Sequence, residues 1–341
     1  MAESKNDKQI KAHLIMRGTH EVEENCLEGG GCVSFINCRK NPGHTGFIPV
    51  YEFSEINVRS WIPNVEQSTV NGIVEYVECC ADLVVRIGVP FISSQRPETA
   101  ADGKTYPFGN KRGQRLNIVG SGFVNQVYGR DDGLNKPCKC GKCPRGTAEE
   151  NRYWKIEVAT ARHVVYDDSE ARGCKVVFFD DHPDGSGSVT LTGGGGLECA
   201  DTENDKCLLM YYTHDRVLAQ RLEYLCNRRR EVLRRWFDLT RMVKKRDYND
   251  LPQSVFTVPS IVISHPHGRM KYITLGHSDP ESLTGALRGE PFTYNAATCP
   301  GSSGGFVLPL ADLCYSFWAK PHSSSLSGNH GCSGGGIFCY C

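Results

Sequence analysis

Short apolar runs, separated by Gly, Asp and Asn, recur along the chain from residue 79 onward. They are rich in Val, Ile, Tyr and Phe, a composition and spacing typical of β-strands in a barrel or sandwich. We predict two groups of strands, the first at 115–128, 153–160, 174–181, 187–193 and 206–212, and the second at 254–266, 269–277 and 304–310.

A helical period separates the two groups. Within 214–247 neither Pro nor Gly interrupts the chain, and apolar residues recur at helical spacing: Leu218, Leu222, Leu225, Val232, Trp236, Leu239 and Val243. This pattern predicts one long amphipathic helix. Its other face is strongly basic, and one interpretation is that the helix at 214–247 binds an acidic partner. The favoured interpretation is that the basic face is solvated while the apolar stripe packs on the strands.

The flanking segments differ from this central part. Residues 1–78 are polar and glycine-rich at first, and we predict an N-terminal extension of unknown role. Residues 79–326 form the predicted main domain, and 327–341 form a tail rich in Gly and Cys.

Charge and hydropathy argue against binding to nucleic acid and to membranes. Lys plus Arg and Asp plus Glu number 39 each, so no global field attracts nucleic acid or a membrane surface. The sequence has no signal-peptide pattern and no run of about 18 apolar residues that would span a bilayer. These features predict a cytoplasmic protein, in which the 17 cysteines are mostly reduced.

Three segments carry candidate chemistry: TARHVV (160–165), DKCLL (205–209) and TCPGSSGG (298–305). Amide hydrolysis by a serine needs a base beside the hydroxyl, a carboxylate that orients the base, and N–H groups that stabilise the oxyanion. His163, Asp205 and Ser303 supply one candidate for each side-chain role. Singly, each has a structural interpretation: a histidine that ends a strand, a turn aspartate with Asp201 as competitor, and a Ser-Gly-Gly loop.

Taken in order, these segments resemble the motifs of the chymotrypsin-like (trypsin-fold) serine peptidases, and the resemblance covers about residues 80–320. It implies an all-β fold of two six-stranded antiparallel β-barrels, here with the basic helix inserted between them. It also implies that His163 is general base and acid, that Asp205 orients it, and that Ser303 is the nucleophile. The backbone N–H groups of Gly301 and Ser303 would form the oxyanion hole.

Two departures from the secreted members favour the intracellular, non-zymogen branch of that family. Ser302 replaces the aspartate that receives a new N-terminal ammonium, and Val164 replaces a disulfide cysteine. Arg162 also places a cation beside the predicted base. The function implied is a serine endopeptidase that acts through an acyl-enzyme. The alternative is a weakly active or inactive peptidase-fold protein that binds a peptide or an acidic partner.

Two further predictions concern ligands. Ala297, six residues before Ser303, stands where trypsin-like members carry an acidic pocket residue, which favours an apolar or small P1 residue, the one whose carbonyl is attacked. Cys138, Cys140 and Cys143 are soft ligands suited to zinc, but zinc usually takes four. A cysteine-rich loop without metal is therefore the favoured interpretation, and no cofactor is predicted.

Overall fold

The structure is a computed structural model of the 341-residue chain. It describes residues 19–21, 23–24, 33–100, 103–129, 138–140, 143, 152–247, 258–278, 282, 291–310, 320–325 and 331–333. Most of the predicted tail at 327–341 lies outside these residues.

The first antiparallel sheet contains all five strands of the first predicted group and three more. The strands are β2 (Glu23–Glu24), β4 (Val84–Val89), β5 (Ile118–Tyr128), β6 (Trp154–Thr160), β7 (Lys175–Phe178), β8 (Val189–Thr192), β9 (Gly195–Asp201) and β10 (Lys206–Thr213). Their order in the sheet is β8–β7–β4–β5–β6–β10–β9, and β2 pairs with the start of β5.

The second antiparallel sheet contains β1 (Thr19–His20), β3 (Phe47–Pro49), β11 (Val258–Ser264), β12 (Tyr272–Ser278), β13 (Thr293–Tyr294), β14 (Phe306–Pro309), β15 (Lys320–Ser325) and β16 (Gly331–Ser333). Their order in the sheet is β1–β15–β14–β11–β12–β13–β16, and β3 pairs with β12. A further pairing of β15 with β16 closes six of these strands into a ring. Each sheet thus has eight described strands rather than the six predicted.

The described helices are few: α1 (Val33–Ile36), α2 (Glu55–Trp61), α3 (Gln67–Ala81), α4 (Asp168–Gly173) and α5 (Arg216–Asp247). The long helix α5 connects β10 to the second sheet and buries Leu218, Leu222 and Leu225 against the first sheet. Some of its arginines have partners within the chain. Arg235 pairs with Glu75 of α3 at 2.7 Å, and the Arg221 guanidinium lies 3.5 Å from the centroid of the Phe179 ring. Among the described residues, no helix has the length and hydropathy needed to cross a bilayer.

One apolar cluster joins the two sheets. Phe123 of β5 meets Phe306 of β14 edge to face, with ring centroids 5.2 Å apart, and α3 covers the same cluster through Val70, Ile73 and Val77. Buried aromatic pairs of this kind hold two layers in a fixed relation. The segment predicted as an extension is therefore packed into the fold: it supplies α2 and α3 to this cluster and strands to both sheets.

Candidate active site

His163 and Asp205 meet at the edge of the first sheet. His163 lies three residues beyond the end of β6, and Asp205 lies in the turn between β9 and β10 with a left-handed φ of 49°. His163 Nδ1 is 2.7 Å from Asp205 Oδ2, and the backbone N–H of His163 donates to Oδ1 at 3.0 Å. Because a carboxylate accepts, Nδ1 carries the proton and Nε2 is left as the basic nitrogen.

A buried ion pair holds the backbone of the His163 turn. The guanidinium of Arg96 makes two bonds of 2.7 Å to Glu170 and donates to the carbonyl oxygens of His163 and Val164 at 2.8 and 3.1 Å. Both charged side chains are 0% exposed. A bidentate pair in this geometry satisfies both charges and fixes the turn that carries the imidazole.

The loop that carries Ser303 runs between the two sheets. Gly301 and Gly304 have left-handed φ values of 91° and 83°, and a Cβ on Gly304 would lie 2.1 Å from the Ser121 carbonyl oxygen. Only glycine fits such a position. Ser121 of β5 fixes the loop because its N–H donates to Ser303 O at 2.7 Å and its hydroxyl donates to Gly301 O at 2.8 Å.

The two adjacent serine hydroxyls have different surroundings. Ser302 Oγ accepts from Ser264 Oγ at 3.0 Å and from the N–H of Cys299 at 3.2 Å. Ser303 Oγ is buried and has no hydrogen-bond partner within the described part of the chain, and the same holds for His163 Nε2. Within the described residues, the Ser303 hydroxyl and His163 Nε2 are thus both without hydrogen bonds, while the Asp205 carboxylate holds the other nitrogen of the same imidazole.

A short stretch near the start of the described chain crosses this site. Strand β1 pairs antiparallel with β15, matching Thr19 with Ser325 and His20 with Ser324, and β2 then pairs with β5. Between these two pairings the N–H of Gly301 donates to the carbonyl oxygen of Glu21 at 2.8 Å. The predicted oxyanion donor is therefore bound to a peptide carbonyl.

The Glu21 side chain enters a polar pocket and is only 4% exposed. His322 Nε2 lies 2.9 Å from Oε2, Ser325 Oγ donates to Oε1 at 2.7 Å, and the Lys40 ammonium also contacts Oε1. Burial opposes ionisation, but the His322 hydrogen bond and the charges of His322 and Lys40 outweigh it. The pKa of the Glu21 carboxyl is accordingly held well below its usual range.

Ala297 and Arg162, also singled out in the sequence, have other surroundings. The Ala297 side chain packs against a separate cluster that contains Cys38, Phe47 and Cys299. The polar contacts of the Glu21 carboxylate come instead from His322, Ser325 and Lys40. Arg162, next to His163, places its guanidinium 4.8 Å from the centroid of the Tyr166 ring.

Two groups of Cys and His side chains have the composition of metal sites. On the rim, His214 joins Cys138, Cys140 and Cys143, with Cys140 Sγ 3.4 Å from His214 Nε2 and 3.5 Å from Cys143 Sγ. His214 Nδ1 lies 2.9 Å from the carbonyl oxygen of Arg152, which directs Nε2 to the sulfurs. The fourth ligand that the sequence lacked locally is thus present, and this set fits zinc.

The second group is fully buried and was missed from the sequence. Cys38, His44, His267 and Cys299 place one potential ligand atom each within 4.8 Å of one another. Glu21, Lys40 and His322 were also missed. Their only signal in the sequence was an acidic residue in the polar N-terminal stretch, which specifies no partner.

Comparisons with known proteins give a distant likeness. No protein-family model matches the chain, and no curated protein is detectably similar to it. Among solved structures, the HtrA-type protease AlgW with a decapeptide is 14% identical with a TM-score of 0.36, over 76% of this chain and 62% of that one. A serine endoprotease from Yersinia pestis is 13% identical with a TM-score of 0.35, over 76% of this chain and 61% of that one.

The active form of the Rv3671c protease from M. tuberculosis is 13% identical with a TM-score of 0.36, over 79% of this chain and 82% of that one. The chain thus spans less than two thirds of the first two structures. At these values the functional assignment rests on the chemistry of the site.

Proposed function

We propose that the chain is a serine endopeptidase in which Ser303 is the nucleophile, His163 the general base and acid, and Asp205 its orienting carboxylate. The observation that carries the proposal is the hydrogen bond from the Gly301 N–H to a peptide carbonyl beside the His163–Asp205 pair. A donor aimed at a carbonyl oxygen is what an acyl-transfer site needs to stabilise the charge that develops there.

The proposed steps follow from this arrangement. Ser303 Oγ attacks the carbonyl carbon while His163 Nε2 takes the hydroxyl proton, and Asp205 stabilises the imidazolium through Nδ1–H. The N–H groups of Gly301 and Ser303 stabilise the oxyanion. The C–N bond then breaks, His163 protonates the leaving amine, and water hydrolyses the acyl-enzyme by the same route.

The immediate environment favours Ser303 over Ser302 as nucleophile. The Ser302 hydroxyl accepts two hydrogen bonds from within the chain, whereas Ser303 Oγ has none in the described residues. Ser302 stands at the position where secreted members of the family carry an aspartate, and that aspartate forms the ion pair that activates them. We therefore expect no activation through such a pair, as in the intracellular, non-zymogen branch.

A fluorophosphonate probe tests this function on the full-length chain. The Glu21→Lys variant is used, because a lysine beside Lys40 keeps the segment out of the pocket and opens Ser303 to the probe. We expect one adduct, mapped by mass spectrometry to Ser303 and lost in both Ser303→Ala and His163→Ala versions. A folded chain that takes up no label would instead support the alternative, a peptidase-fold protein that only binds peptides or an acidic partner.

A further inference from the structure

We propose that residues 19–21 are a substrate of the chain itself, which is cut after Glu21, and that the pocket around His322 selects an acidic P1 residue. This inference rests on the proposed function of Ser303. It identifies the scissile bond as that between Glu21 and Val22.

The backbone arrangement is that of a peptide laid across the cleft. Residues before Glu21 extend the second sheet through β15, and residues after it extend the first sheet through β5. Addition of a strand to a sheet edge fixes a peptide by main-chain hydrogen bonds, whatever its side chains. Glu21 lies at the crossing from one sheet to the other, and its carbonyl oxygen is the one held by Gly301.

The side-chain contacts supply the specificity. The carboxylate of Glu21 meets a lysine ammonium, a serine hydroxyl and an imidazole N–H in a buried pocket. The hydroxyl of Tyr294 bonds to His322 Nδ1, so Nε2 carries the proton that it donates to the carboxylate. An apolar P1 side chain would leave these buried groups unpaired, and sites of this kind reject such analogues strongly.

This acidic preference differs from the apolar or small P1 residue expected from Ala297. The difference arises because Lys40 and His322 come from segments that are distant from Ala297 in sequence. Lys40 follows the scissile bond and therefore stays with the enzyme after the cut.

The reaction balances as an ordinary hydrolysis. Ser303 Oγ bonds to the Glu21 carbonyl carbon, the bond to the Val22 nitrogen breaks, and His163 transfers the serine proton to that nitrogen. One water then hydrolyses the ester, which leaves a carboxylate on Glu21 and a free amine on Val22. Departure of the segment frees the Gly301 N–H and the pocket around His322.

Intact-mass analysis of the full-length chain tests this proposal. During incubation after cell-free synthesis, we expect the chain to lose Met1–Glu21 and to begin at Val22, at a rate that does not change on dilution. Glu21→Ala should slow the cut by about 10⁴-fold, whereas Glu21→Gln, which keeps a hydrogen-bonding side chain, should slow it less. Glu3→Lys, a charge change in the same stretch, is the matched control and should be cut at the normal rate.

Two outcomes separate this inference from the function on which it rests. If fluorophosphonate labels Ser303 in the Glu21→Lys chain but the unaltered chain is never cut after Glu21, the self-cleavage proposal is overturned and the peptidase survives. If neither reaction occurs, both fail. Equal cutting of the unaltered, Glu21→Ala and Glu21→Gln chains would overturn the acidic specificity alone.

A separate observation carries a second inference: we infer that Cys38, His44, His267 and Cys299 bind a structural zinc ion. Cys38 Sγ lies 3.6 Å from Cys299 Sγ, which lies 3.5 Å from His44 Nε2. A tetrahedral zinc with ordinary bond lengths has S–S edges of about 3.8 Å and S–N edges of about 3.6 Å. The measured edges are close to both values.

Hydrogen-bond donors reach both sulfurs. The backbone N–H of Asn41 donates to Cys38 Sγ at 3.3 Å, and its side-chain Nδ2 donates to Cys299 Sγ at 3.1 Å. Donors to ligating sulfurs are the usual second layer of a zinc site. All four ligand residues are buried, so the ion would be shielded from water.

The location gives the ion a structural role. Cys38 and His44 belong to the N-terminal part of the chain, His267 to the turn after β11, and Cys299 to the loop that presents Ser303. That turn already contacts the loop, because His267 N–H bonds to the carbonyl oxygen of Pro300. A zinc ion here would tie three separate segments to the base of the serine loop.

Metal analysis of the full-length Cys140→Ser chain tests this site, because that change removes a ligand of the rim cluster. We expect one zinc per chain by elemental mass spectrometry. Adding Cys38→Ser should remove it, whereas adding Cys226→Ser, a buried cysteine outside both clusters, should not. A folded Cys140→Ser chain without zinc would overturn the proposal, and this holds even if the Cys38→Ser chain fails to fold. Zinc that persists in a folded Cys38→Ser, Cys140→Ser chain would overturn it as well.

Discussion

The imidazole of His20 packs edge-on against the imidazole of His163, with ring centroids 4.4 Å apart and an interplanar angle of 62°. His20 Nε2 also lies 3.7 Å from Asp205 Oδ2. The residue just before Glu21 therefore covers the proposed base and the carboxylate that orients it.

This contact predicts a binding role for His20. Replacement by Ala in a peptide substrate of the same sequence should raise KM by about 2- to 10-fold, which corresponds to the 0.5–1.5 kcal/mol of an aromatic pair. The kcat should change little, since the ring reacts with nothing. His182→Ala, which removes a surface ring stacked on Tyr51 at 5.3 Å, is the control within the enzyme and should leave KM unchanged. An unchanged KM for the altered peptide would contradict the contact.

Asp205 is predicted to act by orienting His163. Asp205→Asn should lower kcat by about 10⁴-fold, because an amide at this place favours the wrong imidazole tautomer. Asp201→Asn is the matched control, since Asp201 accepts only from Asn204 among the described contacts of its loop. Peptide hydrolysis by both full-length variants checks this. An equal loss of kcat in the Asp205→Asn and Asp201→Asn variants would contradict the orienting role, because it would indicate that either change simply disturbs the turn.

The Arg96–Glu170 pair is predicted to dominate local stability. Arg96→Met leaves the buried Glu170 carboxylate without its charged partner and frees the carbonyl oxygens of the His163 turn, so we expect a loss of about 3–5 kcal/mol in the free energy of unfolding. Arg112→Met breaks an exposed pair with Glu98 and should cost at most about 1 kcal/mol. Urea unfolding of both variants measures the difference. A similar cost for the two would refute the prediction.

The buried pair of Glu21 and His322 should make the folded chain less stable on acidification. Burial lowers the pKa of His322 below its ordinary 6.5, although the bond to Glu21 opposes this. The pKa of Glu21 also lies below its ordinary 4.5, held there by His322 and Lys40. Both groups therefore contribute to the stability of the folded chain above their ordinary pKa, and that contribution is lost as the pH falls.

Melting temperatures of the Ser303→Ala chain between pH 8 and 4 provide the measurement. We expect a plateau above about pH 6.5 and a fall below it. Adding Glu21→Gln should remove the decrease in melting temperature that occurs below about pH 4.5, where a carboxyl titrates, and should keep the decrease due to His322. A melting temperature that rises on acidification would contradict the described pocket.

Local patterns explain how far the sequence could predict this molecule. The run at 153–160 alternates strongly, and the structure has β6 at Trp154–Thr160. The same holds for β10 at Lys206–Thr213, predicted at 206–212. His163 and Asp205 meet because each follows or precedes one of these paired strands.

Long-range pairings could not be predicted in this way. Strand β1 has two residues, and its partner β15 lies some 300 positions further along the chain, so no local period marks either one as a pair. The rim cluster shows the same limit, since its fourth ligand, His214, follows β10 rather than the cysteine loop. Three strands that the pattern did not predict, β1, β2 and β3, likewise come from the N-terminal stretch.

The most direct test of the whole account is turnover of the peptide RGTHEVEE, residues 17–24, by the full-length Glu21→Lys chain, whose own segment is kept out of the pocket. We predict cleavage after its first glutamate, a loss of about 10⁶-fold in kcat for Ser303→Ala, and a change of no more than about tenfold for Ser302→Ala. Hydrolysis that survives in Ser303→Ala but disappears in Ser302→Ala would contradict the assignment of the nucleophile on which the mechanism rests.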